Sequence, residues 1–158
     1  MLTLRDHKDI EAIDHAVGLA DIVPAEIAFA QYQKFPQYIC VVRNRGKVVG
    51  YTCMLALKPD VFYKYKSGKI TEPEIKIDDI DFDTKPAHIL WQAIAVHPKY
   101  QGRGIARELI EDFKNRLNEM QVAELIAECS TPAGVKIATK YFGMKPFGPS
   151  ANGQIFVG

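Results

Sequence analysis

The sequence predicts an α/β chain (α+β by some schemes) built on a mixed sheet, and three observations carry that reading. Residues 87–96 are nearly all apolar, and after a loop come a long amphipathic helical stretch and a second apolar run at 123–130. Strand, helix and strand at this spacing form a βαβ unit with parallel strands and a right-handed crossover. Residues 37–43 and 48–57, rich in Tyr, Ile and Val, flank the turn Asn44-Arg45-Gly46-Lys47 and predict an antiparallel hairpin. Residues 144–147 and 154–157 flank a Pro/Asn/Gly turn as two final short strands.

The remaining elements follow in order. Leu2 to Arg5 reads as a short first strand. From His7 to Ala20, Ile10, Ile13, Val17 and Ala20 recur at spacings of three and four, a helical stripe. Pro24 opens a second helix over 25–34, because proline suits a first turn, and Pro36 closes it. Between Lys58 and Pro86 the pattern is less regular. One or two helical turns over 60–66 stop at Ser67-Gly68, and a short helix is expected over 71–79 with Thr71 as cap and Pro73 in its first turn. Lys58, Lys64, Lys66 and Lys69 crowd the first half of this segment; Glu72, Glu74, Asp78, Asp79, Asp81 and Asp83 crowd the second. Such an insertion is either a solvated excursion or a flap facing a substrate or partner. In 103–119, Ile105, Ala106, Leu109, Ile110, Phe113 and Leu117 form one apolar stripe opposite a charged face. A last helix over 132–142 ends at Gly143.

Composition narrows the function classes. At 158 residues, 47% hydrophobic and 25% charged, the chain has the make-up of one soluble globular domain over 1–158. The net charge of +1 gives no whole-protein attraction for nucleic acid or an anionic membrane. No apolar run approaches the roughly 18 residues of a membrane span. No segment resembles a signal peptide, so a cytoplasmic protein is expected. Cys40, Cys53 and Cys129 are odd in number, lack CxxC spacing and lie in apolar runs, which predicts buried thiols and neither a disulfide framework nor a zinc site.

The chemistry concentrates between the two parallel strands, in Ile94-Ala95-Val96-His97-Pro98-Lys99-Tyr100-Gln101-Gly102-Arg103-Gly104-Ile105-Ala106-Arg107. A buried strand ends, two glycines follow, and a long helix begins. The first N–H groups of that helix have no internal partner, its dipole is positive at this end, and Arg103 and Arg107 add charge. Such a place binds phosphate. It is not a Walker A loop, since the chain has no G-x-x-x-x-G-K-S/T. It is not the dinucleotide fingerprint, because the sixth position from Gly102 is Arg107.

Gln101-Gly102-Arg103-Gly104-Ile105-Ala106 fits R/Q-x-x-G-x-G/A, and with the preceding Ala-Val-His-Pro-x-Tyr it closely resembles the coenzyme A pyrophosphate loop of the GNAT N-acyltransferase superfamily. The order of elements along the chain is also similar to the family's, apart from 58–86. The resemblance implies the GNAT acyl-CoA N-acyltransferase fold: a mixed, mostly antiparallel sheet of about six to seven strands around the central parallel βαβ unit, with helices on both faces. It implies acetyl-CoA as cosubstrate and no metal. Main-chain N–H groups from Gly102 to Arg107, with Gln101 at the loop's start, would hold the pyrophosphate. Ile94, Ala95 and Val96 would pair with the pantetheine arm as an added strand, one N–H polarising the thioester carbonyl.

The implied reaction is direct attack of a primary amine on the acetyl thioester, which needs a proton acceptor for the amine and a donor for the thiolate. Glu128 is the first choice of base. A glutamate near this point serves so in some ribosomal-protein acetyltransferases of the family, and strand alternation puts Glu124, Ile126 and Glu128 on one face. The bland alternative is a salt-bridged glutamate near the sheet end. His97 and His88 read as loop and strand-end residues; Gln92 cannot be a base but could orient water. For the acid, the family often carries a tyrosine four residues before the glycine that ends the last helix. Here Thr139 holds that place and Tyr141 is the candidate, while Thr131-Pro132-Ala133-Gly134 stands where the family has an asparagine. Trp91, Phe142 and Phe147 read as core.

The acceptor would be selected by residues 20–36, 58–86 and 144–155, and the acidic stretch from Glu72 to Asp83 hints at a cationic one. An amine-bearing substrate is therefore the expected partner, with no membrane and no nucleic acid; a homodimer stays open. Two readings compete with the enzyme: a degenerate coenzyme-A-binding regulatory module, and a toxin-type relative that acetylates aminoacyl-tRNA.

Overall fold

The computed structural model describes residues Met1–Gly158. Its six strands are β1 (Ile39–Asn44), β2 (Lys47–Leu57), β3 (Ala87–Val96), β4 (Val122–Cys129), β5 (Lys145–Pro149) and β6 (Gln154–Val157). They lie in one sheet in the order β1-β2-β3-β4-β6-β5. β3 and β4 are parallel; β1–β2, β4–β6 and β5–β6 are antiparallel. The helices are α1 (Leu4–Val17), α2 (Ala25–Lys34), α3 (Pro59–Lys66), α4 (Ile105–Glu119) and α5 (Pro132–Lys136). The chain divides into two compact units: Met1–Cys53 with Ala93–Asn118, and Met54–Gln92 with Glu119–Gly158.

In the first unit the expected strand at residues 2–5 is absent, and α1 begins there instead. Leu2-Thr3-Leu4-Arg5 alternates like a strand, but Thr3 and Asp6 form a capping box. The Thr3 N–H donates to Asp6 Oδ2 at 2.7 Å, and the Asp6 N–H donates to Thr3 Oγ1 at 3.3 Å. Gly18, at φ 72, ends the helix. The β1–β2 hairpin turns at Arg45 (φ 48) and Gly46 (φ 79), the left-handed pair that matches strand twist. Alternation along β2 then sends neighbours to opposite faces. Tyr51 donates to Asp14 of α1, whereas Gly50 lies against Ile105 and Leu109 of α4.

Asp14 is only 6% exposed, and burial pushes its carboxyl up to about 6 against the Tyr51 hydroxyl that favours the anion. A raised carboxyl pKa favours folding fully at low pH, and that contribution is lost as pH rises through the folded value. Asp6, held well below the carboxylate range by the Arg43 guanidinium 2.5 Å away, acts in the opposite sense, but its contribution is complete by pH 5. Wild type should therefore lose about 1–1.5 kcal/mol of stability from Asp14 between pH 5 and pH 8. Asp14→Asn should remove that slope, and urea melts at the two pH values measure it. An unchanged slope in the variant would mean that Asp14 titrates normally.

In the second unit the 58–86 segment is neither wholly solvated nor loose. Val61, Phe62, Tyr65, Ile80 and Phe82 are buried. Leu57 bridges Ile80, and the Lys58 and Asp81 N–H groups bond to Asp79 and Ala56 carbonyls. Tyr63 Oη and Lys66 Nζ both donate to Glu124 of β4, at 2.9 and 2.8 Å, and draw its carboxyl pKa down. The helix expected over 71–79 is instead two 3₁₀ turns, Glu72–Glu74 and Ile77–Asp79. Each closes on its own carboxylate, Glu74 accepting from the Thr71 N–H and Asp79 from the Lys76 N–H.

The last helix also departs from expectation. α5 widens after Lys136 into a π-helical turn, Ile137–Tyr141, before Gly143 at φ 61. Trp91 is core, 4.7 Å from the Phe142 ring. Phe147 is not: it is 53% exposed, with Lys66 Nζ 4.7 Å above its ring. The short β5 alternates Phe147 outward, where the lysine stem covers one face of the ring. All three cysteines are buried thiols, as expected.

Candidate active site

The loop from β3 to α4 is built by its own side chains. His97 N–H donates to Val49 O at 2.8 Å, and the imidazole Nδ1 accepts from the Lys99 N–H at 3.2 Å. A 3₁₀ turn over Pro98–Tyr100 follows. Gln101 Nε2 then reaches back to the Val96 carbonyl at 3.1 Å, tying the loop to the strand end. The Arg103 guanidinium lies 5.1 Å from the centre of the Tyr100 ring.

Gly102 and Gly104 sit at φ 78 and φ 83, and no protein atom lies within 4 Å of where a Cβ would project from either. These left-handed residues turn the backbone so that successive N–H groups face outward. The first main-chain bond of α4 runs from Glu108 N–H to Gly104 O, and the N–H groups of residues 102–107 make none to the protein. Ile105 and Ala106 turn their side chains inward onto the cluster of Cys40, Val96 and Leu109. The helix start is thus anchored by apolar packing while its N–H groups stay open, the arrangement of an anion site.

Pairing between β3 and β4 runs from Ala87 to Trp91 and stops at the pair Trp91↔Ala127. Beyond it, β4 carries Glu128 opposite Ile155 and Cys129 opposite Gln154, on the β6 side. Glu128 is half-buried and, unlike Glu124, its carboxylate makes no hydrogen bond or ion pair, so the salt-bridged alternative is not what the structure contains. Tyr141 is 38% exposed, with Lys140 Nζ 5.9 Å from its ring centre. Thr139, at the family's tyrosine place, spends its hydroxyl on the Val135 carbonyl at 2.8 Å. Thr131 caps α5 by accepting from the Gly134 N–H at 3.1 Å. The neighbouring cavity of about 600 Å³ is lined by residues that include Cys129, Thr131, Lys136 and Thr139 but neither Glu128 nor Tyr141. Burial pushes the Cys129 thiol up to about 11, so it is protonated at neutral pH.

The structure therefore gathers 94–96 and 101–107 in the first unit and puts Glu128 and Tyr141 in the second. His97 is a loop-building residue, and His88 packs edge-on against Phe62 and Tyr63. One contact was not foreseen. Gln92 Nε2, on β3, donates to the Glu72 carboxylate at 2.9 Å. The acidic run had marked Glu72 only as one charge among six.

The comparisons with known proteins agree with this geometry. Residues 9–144 match the model of the acetyltransferase (GNAT) family. No curated protein matches the chain in sequence. Among solved structures, Ard1 from Thermoplasma volcanium superposes with TM-score 0.66 at 14% identity, over 99% of this chain and 90% of that one. An N-acetyltransferase from Staphylococcus aureus Mu50 gives 0.63 at 18% identity, over 99% and 91%. Diaminobutyrate acetyltransferase EctA from Paenibacillus lautus, solved with L-2,4-diaminobutyric acid and coenzyme A, gives 0.64 at 14% identity, over 98% and 89%. At such identities these structures speak for the fold, and the family model, which spans most of the chain, for kinship. The glycine loop, the parallel pair that stops short and the match over 9–144 lead to one conclusion: the chain belongs to the acetyltransferase (GNAT) family.

Proposed function

We propose that this protein transfers an acetyl group from acetyl-CoA to a primary amine. The observation that carries the reading is the row of unpartnered N–H groups from Gly102 to Arg107 at the start of α4, beside a strand whose pairing to β4 has ended. The pyrophosphate would lie on those N–H groups, with Arg103 and Arg107 adding charge. Ile94 and Ala95 would offer main-chain groups to the pantetheine arm, one N–H polarising the thioester carbonyl. Val96 O is already taken by Gln101, which makes Gln101 the residue that shapes the loop.

The amine attacks the carbonyl carbon, the C–N bond forms and the C–S bond breaks. Glu128 takes a proton from the amine, and Tyr141 gives one to the departing thiolate. Direct attack, as opposed to relay through an acyl-cysteine, is supported by Cys129, whose protonated thiol is a poor nucleophile. Free-thiol detection with acetyl-CoA and a panel of amines tests the reading. Glu128→Gln should lower kcat by about 10²–10⁴-fold, the range of a lost general base, and Tyr141→Phe should lower it less, since solvent can protonate a thiolate. Acetyl-CoA binding without thiol release from any amine would favour the regulatory module. Acetylation of aminoacyl-tRNA alone would favour the toxin-type relative.

A further inference from the structure

We infer that the cavity beside α3 binds a nucleotide: a planar base, a ribose and a phosphate. Its residues all belong to the second unit, and none of them takes part in the transfer described above.

Of the seven large apolar side chains that the fold leaves exposed, two line this one cavity of about 370 Å³: Tyr63 of α3, 46% exposed, and Phe147 of β5. Both rings are held in place. Tyr63 Oη donates to Glu124 Oε1 at 2.9 Å, and its ring meets Phe62 and His88 edge-on at 5.3 and 5.6 Å. Lys66 Nζ, anchored on Glu124 Oε2 at 2.8 Å, sits 4.7 Å from the centre of the Phe147 ring and 5.9 Å from that of Tyr63. One carboxylate of β4 thus fixes the tyrosine directly and the phenylalanine through a lysine. Rings already immobilised lose little further freedom when a ligand stacks on them. A nucleobase has the flat face that such rings take up.

The charges of the cavity fit the rest of the ligand. The Lys66 charge is spent on Glu124, but the side chains of Lys64 and Lys69 are exposed and make no hydrogen bond or ion pair. Two free ammonium groups match a phosphate monoester, which carries about −1.5 to −2 charge at neutral pH. Asp60, one helical turn before Lys64, also lines the cavity, and its carboxylate makes no side-chain bond. A carboxylate repels a bare phosphate and only accepts hydrogen bonds, so the ligand must bring donors as well as negative charge. Ribose hydroxyls are such donors. The order of charge along α3, Asp60 in the first turn and Lys64 and Lys66 in the last, suits the helix dipole. The dipole gives no reason for two rings to stand open beside those charges. The chain's net charge of +1 favours one nucleotide over a longer nucleic acid. Glu124 lies four residues, about 13 Å, before Glu128 on β4, so a ligand here is clear of the proposed base.

The test is isothermal titration calorimetry of the whole chain, without acetyl-CoA and near neutral pH, with AMP, adenosine and phenyl phosphate. The forms compared are wild type, Lys64→Ala with Lys69→Ala, Phe147→Ala, Asp60→Ala and Gly104→Glu. The expected result is saturable binding of AMP by wild type with a Kd below about 1 mM, and weaker binding of adenosine and phenyl phosphate. The double lysine variant should raise the Kd for AMP about tenfold or more and leave that for adenosine unchanged. Phe147→Ala should raise it about 5- to 150-fold, the range of a lost stacking platform. Asp60→Ala should weaken AMP but not phenyl phosphate, a split that a merely structural loss would not produce. Gly104→Glu should bind AMP as wild type does. Lys64, Lys69 and Asp60 are surface positions whose substitution leaves the fold intact, so their effects read the site itself. Absence of AMP binding by wild type, or AMP binding that survives both the double lysine and the Phe147 variants, would overturn the assignment. Loss of AMP in Gly104→Glu would put the nucleotide on the glycine loop instead. Phenyl phosphate bound as tightly as AMP would leave the ribose no role and point to a phosphorylated aromatic side chain. Either result overturns the nucleotide site.

Discussion

Acetyl-CoA should stabilise the wild-type protein against heat, and Gly104→Glu should abolish that stabilisation. A ligand present at about 100 times its dissociation constant adds roughly 2.7 kcal/mol, which for a chain of this size raises Tm by about 5–11 °C. The variant acts through two separable effects. Gly104 sits at φ 83, so any side chain there costs about 1–2 kcal/mol of backbone strain. It also projects a carboxylate from the row of N–H groups that would meet the pyrophosphate. Gly46→Glu isolates the first effect. Gly46 has φ 79, also has no atom within 4 Å of its Cβ position, and lies in the β1–β2 hairpin. The two variants should melt at similar temperatures without ligand, and only Gly46→Glu should still respond to acetyl-CoA. A full ligand shift in Gly104→Glu would remove coenzyme A from this loop, and the catalytic assignments with it.

What made the loop legible in the sequence is that everything it needs is local. Ile94 to Arg107 is one continuous stretch in which strand end, glycines, helix start and basic residues follow one another, and each has a short-range signal. The βαβ unit and the 44–47 hairpin were legible for the same reason. The misses have different physical origins. At Leu2-Thr3-Leu4-Arg5, apolar alternation competed with the Thr3–Asp6 capping box, and the cap prevailed because α1 is long enough to exploit it. Over 71–79, a cap and a proline mark a helix start but do not say how long the helix runs; two self-closing turns satisfy the same residues. The π-helical turn at Ile137–Tyr141 leaves no mark in hydrophobic spacing. The Glu72–Gln92 contact joins residues 20 apart across an insertion, and no local pattern encodes which of six acidic side chains will face a strand.

The other large effect is expected at Gly50, where the fold and the proposed cofactor site depend on one missing side chain. A Cβ there would stand 2.8 Å from Ile105 Cγ2, 3.3 Å from the Ala95 carbonyl oxygen and 3.3 Å from Leu109 Cδ1. The glycine lets the first turn of α4 approach β2 closely, and that turn carries the open N–H groups. Gly50→Val adds three carbons to this contact. Overpacking of a tight core costs typically about 1–3 kcal/mol and occasionally more, and the upper end is expected here because Ala95 is backbone and cannot rotate away. The relief available is for α4 to lift from the strand, which moves residues 105–107 relative to 94–96. Gly50→Val should therefore lose both stability and the acetyl-CoA shift. Gly50→Ala with Ile105→Ala separates packing from any other role of the position. Ile105→Ala removes the atom nearest the new Cβ, so the double variant should be less destabilised than the sum of the two single variants, a coupling of about 0.5–3 kcal/mol. Urea unfolding of the four forms measures it. Simple additivity would mean that the strand, not the helix, yields to the added methyl, and that the seat of α4 does not set the geometry of its N–H groups.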